Sequence, residues 1–201
     1  GLPDGVWTYW NKKGEKDFDF DFGTGLEHIA LEDLVEREAT FFKLGDDSPF
    51  TGIITQENPE TDYLFLGRTK NGKKDGQWVK WFPSGKDVPE IILVEVPAPE
   101  PEMPWSGGKQ EQGGFKEGQK HGKWTEWYDN EHIKSHGEYN NGILEGYWTF
   151  YHRNGINEKE GSLDNGNANG LWTFYDNESK KVQEGSFTNG IKEGQLSLIH
   201  I

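Results

Sequence analysis

GGFKEGQKHGKWTEWYDNEHIKSHGEYNNGILEGYWTFYHRNG, residues 113–155, states one pattern twice. Gly122-x-Trp124 returns 24 residues later as Gly146-x-Trp148. Working outward, the same register appears at Gly170/Trp172 downstream and at Gly76/Trp78 and Gly5/Trp7 upstream. Gly194/Leu196 and Gly52/Ile54 are degenerate members. The intervals between these glycines run 47, 24, 46, 24, 24 and 24, so each long gap spans close to two periods. A fixed period of this size marks a repeat architecture, in which each unit is too small to bury a core alone.

A second landmark precedes each tryptophan. GRTKNGKKDG (67–76), GGFKEGQKHG (113–122), GEYNNGILEG (137–146), GSLDNGNANG (161–170) and GSFTNGIKEG (185–194) share the form Gly-x-Φ-x-x-Gly-x-x-x-Gly. Asn-Gly stands in the middle at 71–72, 141–142, 165–166 and 189–190. That dipeptide accepts positive φ at both positions, which a two-residue hairpin demands. Further turn signals follow each tryptophan strand, at Ser84-Gly85, Asn130-Glu131, Asn154-Gly155 and Asn177-Glu178. Two strands and two turns per unit predict an all-β fold: an elongated, twisted antiparallel sheet of tandem hairpins of about 24 residues. The glycines, Gly76, Gly122, Gly146, Gly170 and Gly194 included, read as turn and repeat markers.

Alternation along the strands sorts the aromatics. Side chains two apart share a face, so Trp148 and Phe150 oppose Tyr151, and Trp172 and Phe174 oppose Tyr175. Trp7, Trp78, Trp124, Trp148 and Trp172 are expected in one structural column. Trp10, Trp81, Trp127, Tyr151 and Tyr175 are expected in a second, where rings with a polar handle suit binding.

Composition supports a folded chain with a thin core. Leu, Ile, Val and Phe total 43 of 201 residues, a low share for a chain of net charge −14, but nine Trp and seven Tyr supply apolar area. With no Cys there is no disulfide or thiol chemistry. No run of 18 apolar residues occurs. The chain begins at Gly1, inside a motif, so a cytoplasmic and an exported setting are equally open.

Residues 1–96 read as divergent repeats with an irregular stretch at 15–50, 97–112 as a proline-rich loop and 113–201 as regular repeats. Asp17-Phe-Asp-Phe-Asp-Phe22 alternates as a strand with acids on one face. GLEHIALEDLVER (25–37) fits a short helix or a strand variant. IILVEV (91–96) reads as a strand.

Little in the chain suggests catalysis. Counting an EF-hand from Asp17 places Phe22 and His28 where Gly and Glu are needed, so these acids read as a solvated face. His132 and His136 share a face of an extended segment rather than a helical metal spacing. No nucleophile elbow, P-loop or dinucleotide fingerprint is present. Asn177-Glu178-Ser179 is a glycosylation sequon. No active site, cofactor or metal is expected.

The 113–155 segment resembles tandem MORN-variant repeats, which in turn resemble the YwqK-type family of toxin–antitoxin antitoxins. LVEREATFFKLGDDSPFTG (34–52) is similar to the stretch preceding the regular repeats in that family. The resemblance implies a hairpin sheet that works by contact, as a protein-binding scaffold, a toxin-neutralising protein, a membrane-lipid module or a self-associating one. The acidic charge favours a basic protein partner and disfavours nucleic acid and anionic lipid. Lys70, Lys73 and Lys74 form only a short basic patch. A glycan-binding or structural surface role is the remaining alternative.

Overall fold

The computed structural model describes residues 5–10, 15–58, 63–81 and 108–198. Its regular structure is strand, apart from one 3-10 turn at Leu31–Asp33. Consecutive antiparallel hairpins that form no closed barrel bear out the expected fold class. The chain divides into two compact units, Gly1–Gly108 and Lys109–Ile201.

The first unit holds β1 (Val6–Trp10), β2 (Lys16–Asp21), β3 (Glu27–Ile29), β4 (Leu34–Arg37), β5 (Thr40–Lys43), β6 (Gly52–Asn58), β7 (Tyr63–Lys70) and β8 (Lys73–Trp81). β6, β7 and β8 run antiparallel in sequence, with β3 parallel to β6 at the edge. The alternating stretch is a strand, as expected: Phe18, Phe20 and Phe22 are buried and the aspartates face outward. They pack on Ile53, Leu66, Val79 and Trp81 and form the core of the unit. The ambiguous segment 25–37 resolves as strand, 3-10 turn and strand, because Leu34–Arg37 pairs with Thr40–Lys43. Residues 91–96 and most of the proline-rich loop lie outside the described residues. Residues 109–112, expected within that loop, are strand.

Two expectations need correction here. Trp7 does not join the tryptophan column: among the described strands β1 pairs only with β2, and Trp7 is 38% exposed with its ring edge-on to Phe22. Trp81 does not belong to a surface column. Its ring is 2% exposed, because the β2 phenylalanines cover it.

The second unit is the repeat in its regular form. Its strands are β9 (Lys109–Lys116), β10 (Gln119–Trp127), β11 (Ile133–Asn140), β12 (Ile143–Tyr151), β13 (Asn157–Asp164), β14 (Asn167–Tyr175), β15 (Lys181–Thr188) and β16 (Ile191–Leu198). Each pairs with its sequence neighbour, giving an open meander. The hairpin turns have positive φ at both central residues, 49° and 81° at Asn141-Gly142, the mirror-image geometry matched to strand twist. Each later turn is tied to the preceding hairpin: Gly142, Gly166 and Gly190 donate N–H to the carbonyls of Lys120, Leu144 and Ala168 at 2.7–2.9 Å.

What locks a hairpin is a bulge with a ring over it. Between Glu138↔Glu145 and His136↔Thr149 the second strand carries two more residues than the first. Gly146, at φ 70°, supplies the left-handed backbone this needs. The irregularity lays Trp148 flat on Gly137, where an added Cβ would meet the ring at 2.2 Å. The indole N–H then donates to the Glu138 carbonyl at 3.1 Å. The same bond recurs from Trp78 to Arg68 at 2.7 Å, Trp124 to Gly114 at 2.9 Å and Trp172 to Ser162 at 3.0 Å. The first glycine of four of the motifs, Gly67, Gly113, Gly137 and Gly161, is therefore a mid-strand seat for an indole, not the turn marker it resembled.

Across the second unit the row reads Gly113, Trp124, Gly137, Trp148, Gly161, Trp172, Gly185, large alternating with absent. This interdigitation buries all three indoles without a second sheet. Flanking rings extend the contact: Tyr139 meets Trp124 and Trp148 edge-on, and Phe150 stacks against Trp148 and Trp172. Each buried indole contributes roughly 1.5–3 kcal/mol by area alone.

Removing the hole or the ring tests this lock. Gly137→Ala should lose about 1–3 kcal/mol by overpacking, and Trp148→Ala about 3–5 kcal/mol. In urea denaturation the double variant should cost less than the two single losses added, because the new methyl no longer meets a ring. Additive losses would show that the two residues act independently.

Candidate binding surface

The indole face provides its own counter-charges. Lys120 Nζ lies 3.9 Å from the Trp124 ring centre and 5.3 Å from that of Tyr139, and it pairs with Glu111 at 3.1 Å and Glu126 at 3.7 Å. Lys159 Nζ lies 5.0 Å from the centre of Phe150. Rings, ammonium groups and carboxylates on this side satisfy one another.

The opposite face of β9–β16 is organised around threonine. Thr125, Thr149 and Thr173 each follow a lock tryptophan, so alternation turns them away from it. Register sets them in line with His136, Glu160 and Glu184: Thr125↔His136↔Thr149↔Glu160↔Thr173↔Glu184. This line crosses the strands as a floor. Two positions further along each strand stand Trp127, Tyr151 and Tyr175; two positions back stand Lys123, Tyr147 and Leu171. The result is a trough with raised aromatic or aliphatic sides, repeating about every 10 Å because each repeat is two strands wide. Among the described residues of this unit no second sheet covers it, and Tyr147 is 57% exposed.

Of the five expected binding residues, Trp127, Tyr151 and Tyr175 therefore line one rim. Trp10 lies in the first unit on β1, opposite Lys16, and Trp81 is core. Sequence reasoning missed Tyr147, Leu171, the threonines and Glu160. The signal was present in the recurrent Trp-Thr at 124–125, 148–149 and 172–173.

Hydrogen bonds orient the rim. Tyr151 Oη lies 3.3 Å from His136 Nδ1, and one repeat on, Tyr175 donates to Glu160 Oε1 at 2.7 Å. Glu160 Oε2 accepts from Asn157 Nδ2 at 3.4 Å, and the Tyr147 phenol lies within reach of this carboxylate's charge. At the other end, Lys109 Nζ sits 4.9 Å from the Trp127 ring centre. Burial first, then the Glu160 charge, raises the Tyr151 and Tyr147 phenols above their ordinary range. The Glu160 hydrogen bond is the main cause that pushes Tyr175 up to about 12.

The arrangement offers rings, hydroxyls and carboxylates. His132 is held by the Arg153 carbonyl at 2.8 Å, away from the trough. Among the described residues no group of three His, Asp or Glu side chains is placed to hold a metal ion, and no helix is long and apolar enough to cross a membrane.

A phenolate titration checks the geometry at Glu160. Folding raises the Tyr175 pKa, so its contribution to stability is intact below pH 10 and is lost as pH rises towards about 12. Absorbance should show Tyr175 ionising near 12 and, in Glu160→Gln, moving down towards the ordinary 10.0. Ionisation near 10 in the unaltered protein would contradict the bond.

No protein-family model matches this chain and no curated protein matches it, so the functional reading rests on the surface itself.

Proposed function

We propose that this chain is a non-catalytic repeat scaffold whose threonine face takes up a basic protein partner. The observation that carries the reading is the rim of Trp127, Tyr151 and Tyr175, repeated every 24 residues along a face that the unit itself leaves uncovered. Aromatic rings with a polar end are enriched in interfaces because one side chain supplies both area and a directed bond. A single-layer sheet presents such residues on a rigid, shallow surface suited to another polypeptide.

Charge supports the same partner. The first unit carries −10 and the second −4, so both attract a cationic protein over distance. The MORN-type resemblance fits a contact function, and neutralisation of a basic toxin is its narrower form. Anionic lipid fits less well. Lys70 and Lys73 stand directly opposite each other, but Lys74 lies 4.5 Å from the Trp78 ring centre and is already engaged.

The test is affinity capture from the source organism's extract with the unaltered chain and with Tyr151→Ala/Tyr175→Ala, both verified as folded. A basic protein should be enriched by the first, lost with the second and weakened by salt. Identical capture by both would remove the trough from consideration. Binding to anionic vesicles at physiological salt, undiminished in the double variant, would replace a protein partner with a lipid surface.

A further inference from the structure

The trough holds a carboxylate with no counter-charge. Glu160 lies half-buried on β13, and its hydrogen-bond partners are neutral: the Tyr175 hydroxyl and the Asn157 amide, with the Tyr147 phenol nearby. Among the described residues no basic side chain forms an ion pair with it. Lys159 beside it turns to the indole face, over Phe150. The next acid along the floor, Glu184, is answered by Lys181. A partly desolvated anion in a ring-lined site gains most from a cation that can replace lost water.

The chain shows what kind of cation fits. Lys109 places its ammonium over Trp127, and the same position one and two repeats later holds Ile133 and Asn157. Tyr151 thus stands between Ile133 and Asn157 without the ammonium that its counterpart Trp127 possesses, and the lysine opposite Tyr175, Lys181, is committed to Glu184. Lys120 and Lys159 make the ammonium–ring pairs over Trp124, Tyr139 and Phe150, with Lys120 combining rings and two carboxylates in one site, while the guanidinium of this unit that meets a ring, Arg153 over Tyr128, does so beyond the end of β10.

We propose that Glu160, with Tyr147, Tyr151 and Tyr175 around it, receives the ammonium group of a lysine side chain from the partner protein. This rests on the reading of the threonine face as a protein-binding surface, and it names the group that the face grips. The carboxylate takes the charge, and the Thr173 hydroxyl directly opposite on β14 is a second acceptor for an ammonium with three donors. The tyrosine faces cover the lysine stem and add the cation–ring attraction.

NMR titration of the full chain with acetyl-Gly-Gly-Lys-Gly-Gly-amide tests the site. The peptide should shift Glu160 and the rings of Tyr147, Tyr151 and Tyr175, and its ε-acetylated form should not. Glu160→Gln should weaken binding roughly three- to tenfold. Glu138→Gln, which removes the same charge from the same face two strands away on β11, opposite Lys123, should leave it unchanged. Thermal melts verify that both variants are folded. Equal weakening by both variants, or shifts elsewhere on the acidic surface, would overturn the Glu160 site while leaving a basic partner in place. Equal affinity for the same peptide with arginine in place of lysine would overturn the choice of an ammonium. Failure of every basic peptide to bind at physiological salt would overturn both the site and the basic-partner reading.

Discussion

An indole ring lying on a glycine of the facing strand is the interaction on which the repeat depends. A two-residue hairpin has too little apolar surface to stand alone. Here the second strand is bulged at Gly146, the ring of Trp148 drops into the space left at Gly137, and its N–H finds the Glu138 carbonyl. One side chain thus fills a hole, satisfies a main-chain acceptor and touches the next repeat, where Trp148 stands opposite Gly161. Neither residue works without the other: alanine at the seat collides with the ring, and glycine without the ring leaves bare backbone.

Because the lock occupies one face only, the other is left to vary. In the first unit that face became core: Val79 and Trp81, the counterparts of Thr125 and Trp127, lie under the phenylalanines of β2. In the second unit the same positions carry threonine, histidine and glutamate beneath aromatic rims. One scaffold therefore appears twice, once closed by its own amphipathic strand and once open. The closed version shows what the geometry accepts, an extended segment laid over the floor, and the polar floor of the open version changes the chemistry of what would lie there.

The period, the Asn-Gly turns and the division of each strand into two faces were all legible in the sequence. They follow from local rules, in which residue type and spacing are enough. The seat glycines were visible too, but as turn markers, since nothing in a one-dimensional pattern distinguishes a glycine that bends the chain from one that makes room. Gly137 has ordinary strand geometry; its need arises from Trp148, eleven residues away. Trp7 and Trp81 were misplaced for a related reason. Gly5-x-Trp7 copies the motif, but Trp7 stands opposite Phe20 rather than a glycine, and whether Trp81 is covered depends on where β2 folds, a long-range event. Glu160 was lost among 35 acids because its distinction is the absence of a cation, which only side-chain placement reveals.

Hydrogen exchange at the indole N–H groups, resolved by NMR, tests the lock most directly. Trp78, Trp124, Trp148 and Trp172 should exchange slowly and together, as bonds that break only when a hairpin opens, while open-face Trp127 exchanges quickly. Fast exchange at all of them, with the sheet still intact by its main-chain amides, would mean that the rings do not hold the repeats.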